Sequence, residues 1–543
     1  MKKRIYLFSM ALFVLAFCNI NMLFGQVQRE TSPPVVPLKW GGDVIVHNDP
    51  TFNQQNAKLA VAFNGWLYSV FSSQNGTSCG VTIMRSKDNG ANWSLISNNI
   101  YANSLYKAVD AIVCGTDTNN LRLFVGGILY TGTNYVVWVD RYNATTGIQI
   151  DEPYGYSSPS IIYDLALASD YLLPSSYVNS LSQPFGVGLV YTKRGGSQDS
   201  VMFVGSGDAG ATFNSPNVVY STSYWLGKVD MSYGANSSWF LGRFYVAFEQ
   251  FTSLSDSVGA IFTAYAPFDN PSTFVGLVRL DTVGNYPSVI GKCRRPSIAC
   301  QQSSNLNDST GLTSVVVFER QYTPTDCDVL GCATKSSPND NHWGSILPLN
   351  GSDNEVMGNI SFDPGYNNFL LTYYNSTTGY LPFMVKNFNL PNPSTWGVLM
   401  SHYNDNTSDL TKPFPRVEIN PVALQCAFTW TANPTANGVT MFDAEYSLIV
   451  GIKELEEQGF SVSQFAPNPA VNTANLDISL NENSKVTAIL FDQLGRQVIL
   501  ANDSEMGSGN QRLSIDVSEL PAGMYYCMLI INGQKLTRKL TKF

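Results

Sequence analysis

Lys58-Leu59-Ala60-Val61-Ala62-Phe63, Asp110-Ala111-Ile112-Val113-Cys114-Gly115, Asp164-Leu165-Ala166-Leu167-Ala168-Ser169 and Asp230-Met231-Ser232-Tyr233-Gly234-Ala235 are four versions of one short strand. Each opens on a charged residue and continues in small or apolar ones. SIACQQ at Ser297, SFDPGY at Ser361 and VEINPV at Val417 extend the series, with steps of 52 to 67 residues between anchors. A more hydrophobic strand follows each: WLYSVFS, LRLFVGG, GVGLVYT, RFYVAFEQ, TSVVVFER, NFLLTYY and ALQCAFTW. Third strands such as GVTIMRS, SVMFVGS, GAIFTAY and GVTMFDAEYS complete several units. Self-similarity at a long, even period marks units that cannot bury their own faces and must stack on one another. Seven units of three or four strands predict an all-β, seven-bladed (alternatively six-bladed) β-propeller over residues 26–450. Two tandem β-sandwiches are the competing architecture.

Composition agrees with this. Of 543 residues only 13% are charged, while Tyr, Phe and Trp number 28, 30 and 9. Aromatic and β-branched side chains suit a pleated, half-buried surface. The net charge of −9 and the lack of a basic cluster argue against a nucleic-acid partner. Three scattered histidines (His47, His342, His402) and no CxxC pair leave no zinc site, and no cofactor is expected.

The ends of the chain carry addresses. Met1-Lys2-Lys3-Arg4 followed by the apolar run Ile5 to Phe17 reads as a signal peptide over residues 1–25, cut before Gln26. No second apolar run follows, so no membrane span is expected in the mature chain. Beyond Cys18, the eight cysteines of an exported chain make some disulfides plausible. A charged stretch, Lys453 to Gly459, reads as part of a linker over 451–463. After it come the two prolines of FAPNP, renewed alternation, and a hairpin signal at Asn532-Gly533, which together predict a small antiparallel β-sandwich over 464–543.

That last segment resembles type IX (Por) secretion sorting domains. The resemblance rests on Pro467-Asn468-Pro469, a strand ending in D-x-x-G-R (Asp492, Gly495, Arg496), and L-P-A-G-x-Y with Gly523 and Tyr525, before a final basic strand. It implies delivery through the periplasm to the cell surface or medium of a Gram-negative bacterium. The type IX secretion machinery would then be a partner, and the tail an address rather than an activity.

Two octapeptides in the body carry a second resemblance. Ser86-x-Asp88-x-Gly90-x-x-Trp93 and Ser206-x-Asp208-x-Gly210-x-Thr212-Phe213 resemble the Asp-box (BNR repeat) of sialidase-like propellers. Asp and Ser side chains bond nearby backbone amides, Gly supplies positive φ, and the ring is expected to pack into the blade. These are structural turns, so no catalytic role is assigned to Asp88 or Asp208. An active sialidase would need three arginines, a Tyr–Glu nucleophile pair and an acidic Asp. The R-I-P-like entry motif is missing, and Arg294-Arg295-Pro296 falls in the fifth unit. Glu249 and Glu319 occupy a repeated strand-end position, so no catalytic residue is assigned.

Asp110, Asp164 and Asp230 start equivalent strands and would line a central channel, where they are candidates for binding a cation or a polar ligand. The plainer reading is that each caps its own strand turn. Trp66, Tyr224, Trp225, Trp239, Trp343 and Trp396 are candidates for stacking on sugars. The expected function is ligand binding, to a glycan or a surface protein, without catalysis. A divergent sialidase-fold glycoside hydrolase or lyase is the alternative.

Overall fold

The computed structural model describes residues 42–446 and 460–543, apart from short internal stretches of which 170–185 and 387–398 are the longest. The expected signal peptide, the charged part of the expected linker, Trp239, Trp396, Asp492, Gly495, Arg496 and the expected turn at Asn532-Gly533 lie outside the described residues. The chain divides into two units, Met1–Ser447 and Leu448–Phe543.

The first unit is all-β and β-propeller-like. Its described strands form seven four-stranded antiparallel sheets. In six of them the strands follow chain order, as in Asn53–Val61, Leu67–Asn75, Ser78–Ser86 and Ser94–Tyr101. The seventh joins Arg416–Asn420, Gln425–Ala432 and Val439–Tyr446 to Val44–His47 from the start of the chain, with Val44 opposite Phe442. The stretch VIVH thus belongs to the last sheet, and pairing of the two chain regions closes that sheet.

The first strands of the sheets touch in sequence: Asn53–Val61, Leu105–Cys114, Ile162–Ser169, Trp225–Gly234, Cys293–Cys300, Glu355–Asp363 and Arg416–Asn420. The last of these touches the first, completing a cycle. Second strands lie between neighbouring sheets and are apolar on both faces, which is why they read as unbroken hydrophobic runs. Leu312 to Arg320, for example, is buried at every position. Fourth strands face water and lose the pattern, as in Ser94–Tyr101.

Cores form between sheets rather than within them. Phe124 and Val139 of the second sheet pack with Leu165, Leu189 and Tyr191 of the third. Ala299, Val315 and Val329 of the fifth pack with Ile360 and Leu371 of the sixth. Burying a side chain of this size contributes about 1.5–3 kcal/mol, so each sheet is stabilised chiefly by its neighbours. Cys79, Cys300, Cys327 and Cys527 are buried free thiols, so disulfide expectations fail for these four. Burial pushes the Cys79 thiol up to about 11 and those of Cys300 and Cys527 to about 12.

The second unit holds two antiparallel sheets over one core. Phe460–Val462, Thr473–Leu480 and Gly509–Asp516 form one. Gln497–Met506, Ser484–Phe491, Gly523–Ile531 and Gln534–Lys542 form the other. Alternate residues face inward, so Leu476, Ile478, Val486, Ala488, Cys527 and Leu529 meet in the core. The strand Phe460–Val462 lies inside the stretch that reads as linker, yet Phe460 pairs with Leu480 and is buried.

Candidate functional site

A break in strand register precedes the cavity-facing position of the first six first strands. The shifts fall between Gln55 and Lys58, Tyr106 and Ala108, Ile162 and Asp164, Leu226 and Val229, Arg294 and Ser297, and Val356 and Asn359. Such bulges bend a strand and re-aim its side chains. Asn56, Arg295 and Met357 take positive φ of 54°, 50° and 59° at three of these points, and Phe414 takes 44° just before the seventh first strand. Lys58, Asp110, Asp164, Asp230, Ser297, Asn359 and Arg416 follow, forming one belt around the axis. Sequence periodicity places the sixth and seventh anchors at Ser361 and Val417, so it misses Asn359 and Arg416. The repeat there changes from Asp to Asn and Arg, and no acidic residue marks the register.

The belt is a relay of hydrogen bonds running from each sheet to the next. The Asp110 carboxylate accepts the Leu167 N–H at 2.7 Å, and Asp164 accepts that of Val229 at 3.2 Å. Asp230 accepts the Ile298 N–H at 3.0 Å and the Ser297 hydroxyl at 2.9 Å. Ser297 Oγ accepts the Ile360 N–H at 3.4 Å, and Asn359 Oδ1 that of Val417 at 3.0 Å. Lys58 and Lys228 ammonium groups lie 3.1 Å from Asp110 and Asp164 respectively. The expectation that each Asp caps its own strand turn is thus corrected: the amides belong to the following sheet, although Asp230 also accepts the N–H of Met231 at 2.9 Å. Nor do the three carboxylates converge on one cation, because each has its own partners. No cluster of three or more His, Cys, Asp or Glu suited to a metal occurs among the described residues.

Second strands add a parallel clamp. Glu249 accepts the N–H groups of Lys228 and Arg295, both at 2.7 Å. Glu319 accepts that of Met357 at 2.6 Å and the Arg295 guanidinium at 2.8 and 2.9 Å. These glutamates hold the bulges of neighbouring sheets in place.

Two cavities lie along the axis. The larger, about 260 Å³, is lined by residues from all seven first strands, among them Asp110, Asp230, Asn359, Ser361, Arg416 and Glu418. The smaller, about 80 Å³, lies toward the strand starts and is lined by Lys58, Lys107, Lys228, Arg295 and Arg416 with Asp164 and Asp230. Glu418 accepts the Ser361 hydroxyl at 3.0 Å. Removal from water, aided by the nearby Asp110 and Asp230 charges, pushes its carboxyl up to about 7. Burial also raises Asp230, against the pull of Lys58 and Arg416. Sequence reasoning passes over Glu418 because it sits two residues past the belt in a strand with no acidic start.

The two octapeptide turns share one geometry. Ser86 Oγ donates to Asp88 at 2.8 Å and accepts the Gly90 N–H at 2.8 Å, while Asp88 accepts the Asn92 N–H at 2.9 Å. Ser206, Asp208, Gly210 and Thr212 repeat this at 2.8, 3.0 and 2.9 Å. The rings pack in the cores between their own sheet and the preceding one. Trp93 meets Phe442 edge-on at 5.2 Å, and Phe213 meets Tyr154 at 5.8 Å. Of the remaining aromatic candidates, Trp343 is buried in an inter-sheet core. Trp66 lies under Lys87 at 4.2 Å, Trp225 under Arg194 at 3.6 Å, and Tyr224 is exposed. None of them lines either axial cavity.

In the second unit, Asn468 Oδ1 accepts the Thr541 N–H at 2.8 Å, which ties the Pro467-Asn468-Pro469 segment to the final strand. Tyr525 is buried and donates to the Pro521 carbonyl at 2.8 Å, while Gly523 opens its strand.

Residues 464–542 match the family described as the secretion system C-terminal sorting domain. That tail implies export to the cell surface and interaction with the type IX machinery, and no helix among the described residues is long and apolar enough to cross a membrane. No curated protein matches the chain. Among solved structures, a Dyadobacter fermentans protein of unknown function is 10% identical, with a TM-score of 0.43, over 76% of this chain and all of its own. A Penicillium chrysogenum alpha-L-arabinanase complexed with arabinobiose is 9% identical, TM-score 0.39, over 75% of this chain and 98% of its own. A Fusarium graminearum alpha-L-arabinofuranosidase with an iminosugar inhibitor is 10% identical, TM-score 0.38, over the same shares. Likeness at this level concerns the fold and says nothing of a ligand. What the similarity establishes for this chain is its C-terminal sorting domain.

Proposed function

We propose that the mature protein is a seven-bladed, Asp-box β-propeller, delivered to the surface with a β-sandwich sorting tail, that binds a polar ligand of glycan type in the larger axial cavity without turning it over. The observation that carries this reading is the state of the carboxylates there. Glycoside hydrolysis commonly needs two carboxyl groups free to act on the bond between them. Asp110 is engaged by Lys58 and the Leu167 amide, and Asp230 by Ser297 and the Ile298 amide. They hold blades together, which leaves Glu418, Arg416, Asn359 and Ser361 to present donors and acceptors to a ligand.

A hydrolase or lyase is the second reading, and Glu418 is what favours it, since a carboxyl near 7 can serve as a general acid at neutral pH. Glycan-array binding combined with a panel of fluorogenic glycosides separates the two. Saturable binding without product supports the first. Turnover that Glu418→Gln abolishes supports the second and overturns the first.

A further inference from the structure

The smaller cavity has a chemistry the larger one lacks. Its lining carries five cationic side chains, Lys58, Lys107, Lys228, Arg295 and Arg416, against the two carboxylates of Asp164 and Asp230. Three of the five are paired, Lys58 with Asp110, Lys228 with Asp164 and Arg295 with Glu319, which leaves Lys107 and Arg416 as the lining cations with no carboxylate at ion-pair distance among the described residues. Both carboxylates are already engaged, Asp164 by Lys228 and the Val229 amide, Asp230 by Ser297 and the Ile298 amide. Lys107 is exposed and meets the Tyr130 ring at 5.8 Å. Arg416 Nε is buried with no hydrogen-bond partner among the described residues, and a buried donor left unmet costs free energy that a ligand oxygen would restore.

We propose that this cavity binds a tetrahedral oxyanion, the sulfate or phosphate ester group of a sugar. Size limits the occupant to a small group: the cavity is about 80 Å³, against roughly 150 Å³ for an engineered cavity that holds benzene. The donor types support its shape. A planar carboxylate is best matched by a free guanidinium fork, whereas ammonium groups act as point charges around a compact anion. Arg295 commits one nitrogen, Nη1, to both oxygens of Glu319, at 2.8 and 2.9 Å. Lys107 and Arg416 therefore supply the charge left for a ligand, with Arg416 lining both cavities.

Calorimetric titration of the full chain with galactose 6-sulfate, glucose 6-phosphate, galacturonate and galactose tests this. Saturable binding of the sulfate or phosphate sugar is expected, with the tighter of the two naming the source. Losing one charge-assisted bond should weaken that binding about tenfold in Arg416→Lys, and about threefold for the exposed Lys107→Gln. Circular dichroism and thermal melts of both variants check that the fold is retained, and Lys107→Gln should leave neutral-glycan binding in the larger cavity unchanged. The proposal is overturned if neither anionic ester binds, if galacturonate binds as tightly, or if folded Lys107→Gln and Arg416→Lys both bind like the parent chain.

Discussion

The Asp164 carboxylate accepts the backbone N–H of Val229 at 3.2 Å, across the boundary between the third and fourth sheets. Asp110 with Leu167, Asp230 with Ile298, Ser297 with Ile360 and Asn359 with Val417 repeat the relationship around the axis. The second to sixth sheets thus each fix the inner strand of the next through a polar side chain, and Glu249 and Glu319 add a second set of clamps between sheets.

Removing one such clamp should be costly because the amide it satisfies is buried. Asp110→Ala leaves the Leu167 N–H unmet and Lys58 unpaired, so a loss of about 2–4 kcal/mol is expected. Asp110→Asn keeps an acceptor oxygen and should lose only about 1 kcal/mol. Denaturant unfolding of the two variants checks the order. Equal losses would mean that the ion pair, not the amide bond, is what matters.

The glycines of the octapeptide turns make a sharper case. Gly90 has φ of +89°, and a Cβ there would fall 1.9 Å from a ring carbon of Phe442. At Gly210, φ is +70° and the distance to Phe124 would be 2.2 Å. Alanine at either position should cost about 2–4 kcal/mol through strain and overpacking. Gly207, in the same turn as Gly210, has open space around it, so Gly207→Ala should be nearly neutral. Thermal melts of the three variants would show this difference.

How far the sequence leads can be read from these same residues. Second strands and acidic starts are legible because burial between sheets makes the second strands mostly apolar and the clamp reuses Asp in three successive units. Asn359 and Arg416 are not legible, because a side-chain amide accepts the same bond and Arg416 performs a different task. A bulge between Val356 and Asn359 shifts the register in the sixth unit, so Ser361 marks the pattern but not the belt. The contact of Trp93 and Phe213 with the preceding sheet is a tertiary fact that a local octapeptide does not contain.

Glu418 gives the account a pH signature. Its folded-state carboxyl titrates near 7, above the ordinary 4.5. The folded protein therefore holds a proton that the unfolded chain releases between these values. Stability from this group is full below about pH 4.5 and is lost as pH rises toward 7. Glu418→Gln should flatten that part of the stability–pH curve. An unchanged slope would show that the carboxyl ionises normally.

Export is tested by truncation. A chain ending at Gly459, which lacks the matched residues 464–542, should accumulate in the periplasm while the full chain reaches the surface. Fractionation with surface protease accessibility reads both locations, and normal delivery of the truncated chain would contradict the role of the tail.

The most direct measurement of the central claim is calorimetric titration of a glycan-array hit into the full chain, with the recovered glycan analysed by mass spectrometry. Saturable binding is expected, at least about tenfold weaker in Glu418→Ala because the carboxyl group that bonds the ligand is lost, with the glycan recovered intact. A cleaved glycan, with cleavage abolished by Glu418→Gln, would contradict the claim, as would binding that Glu418→Ala leaves untouched.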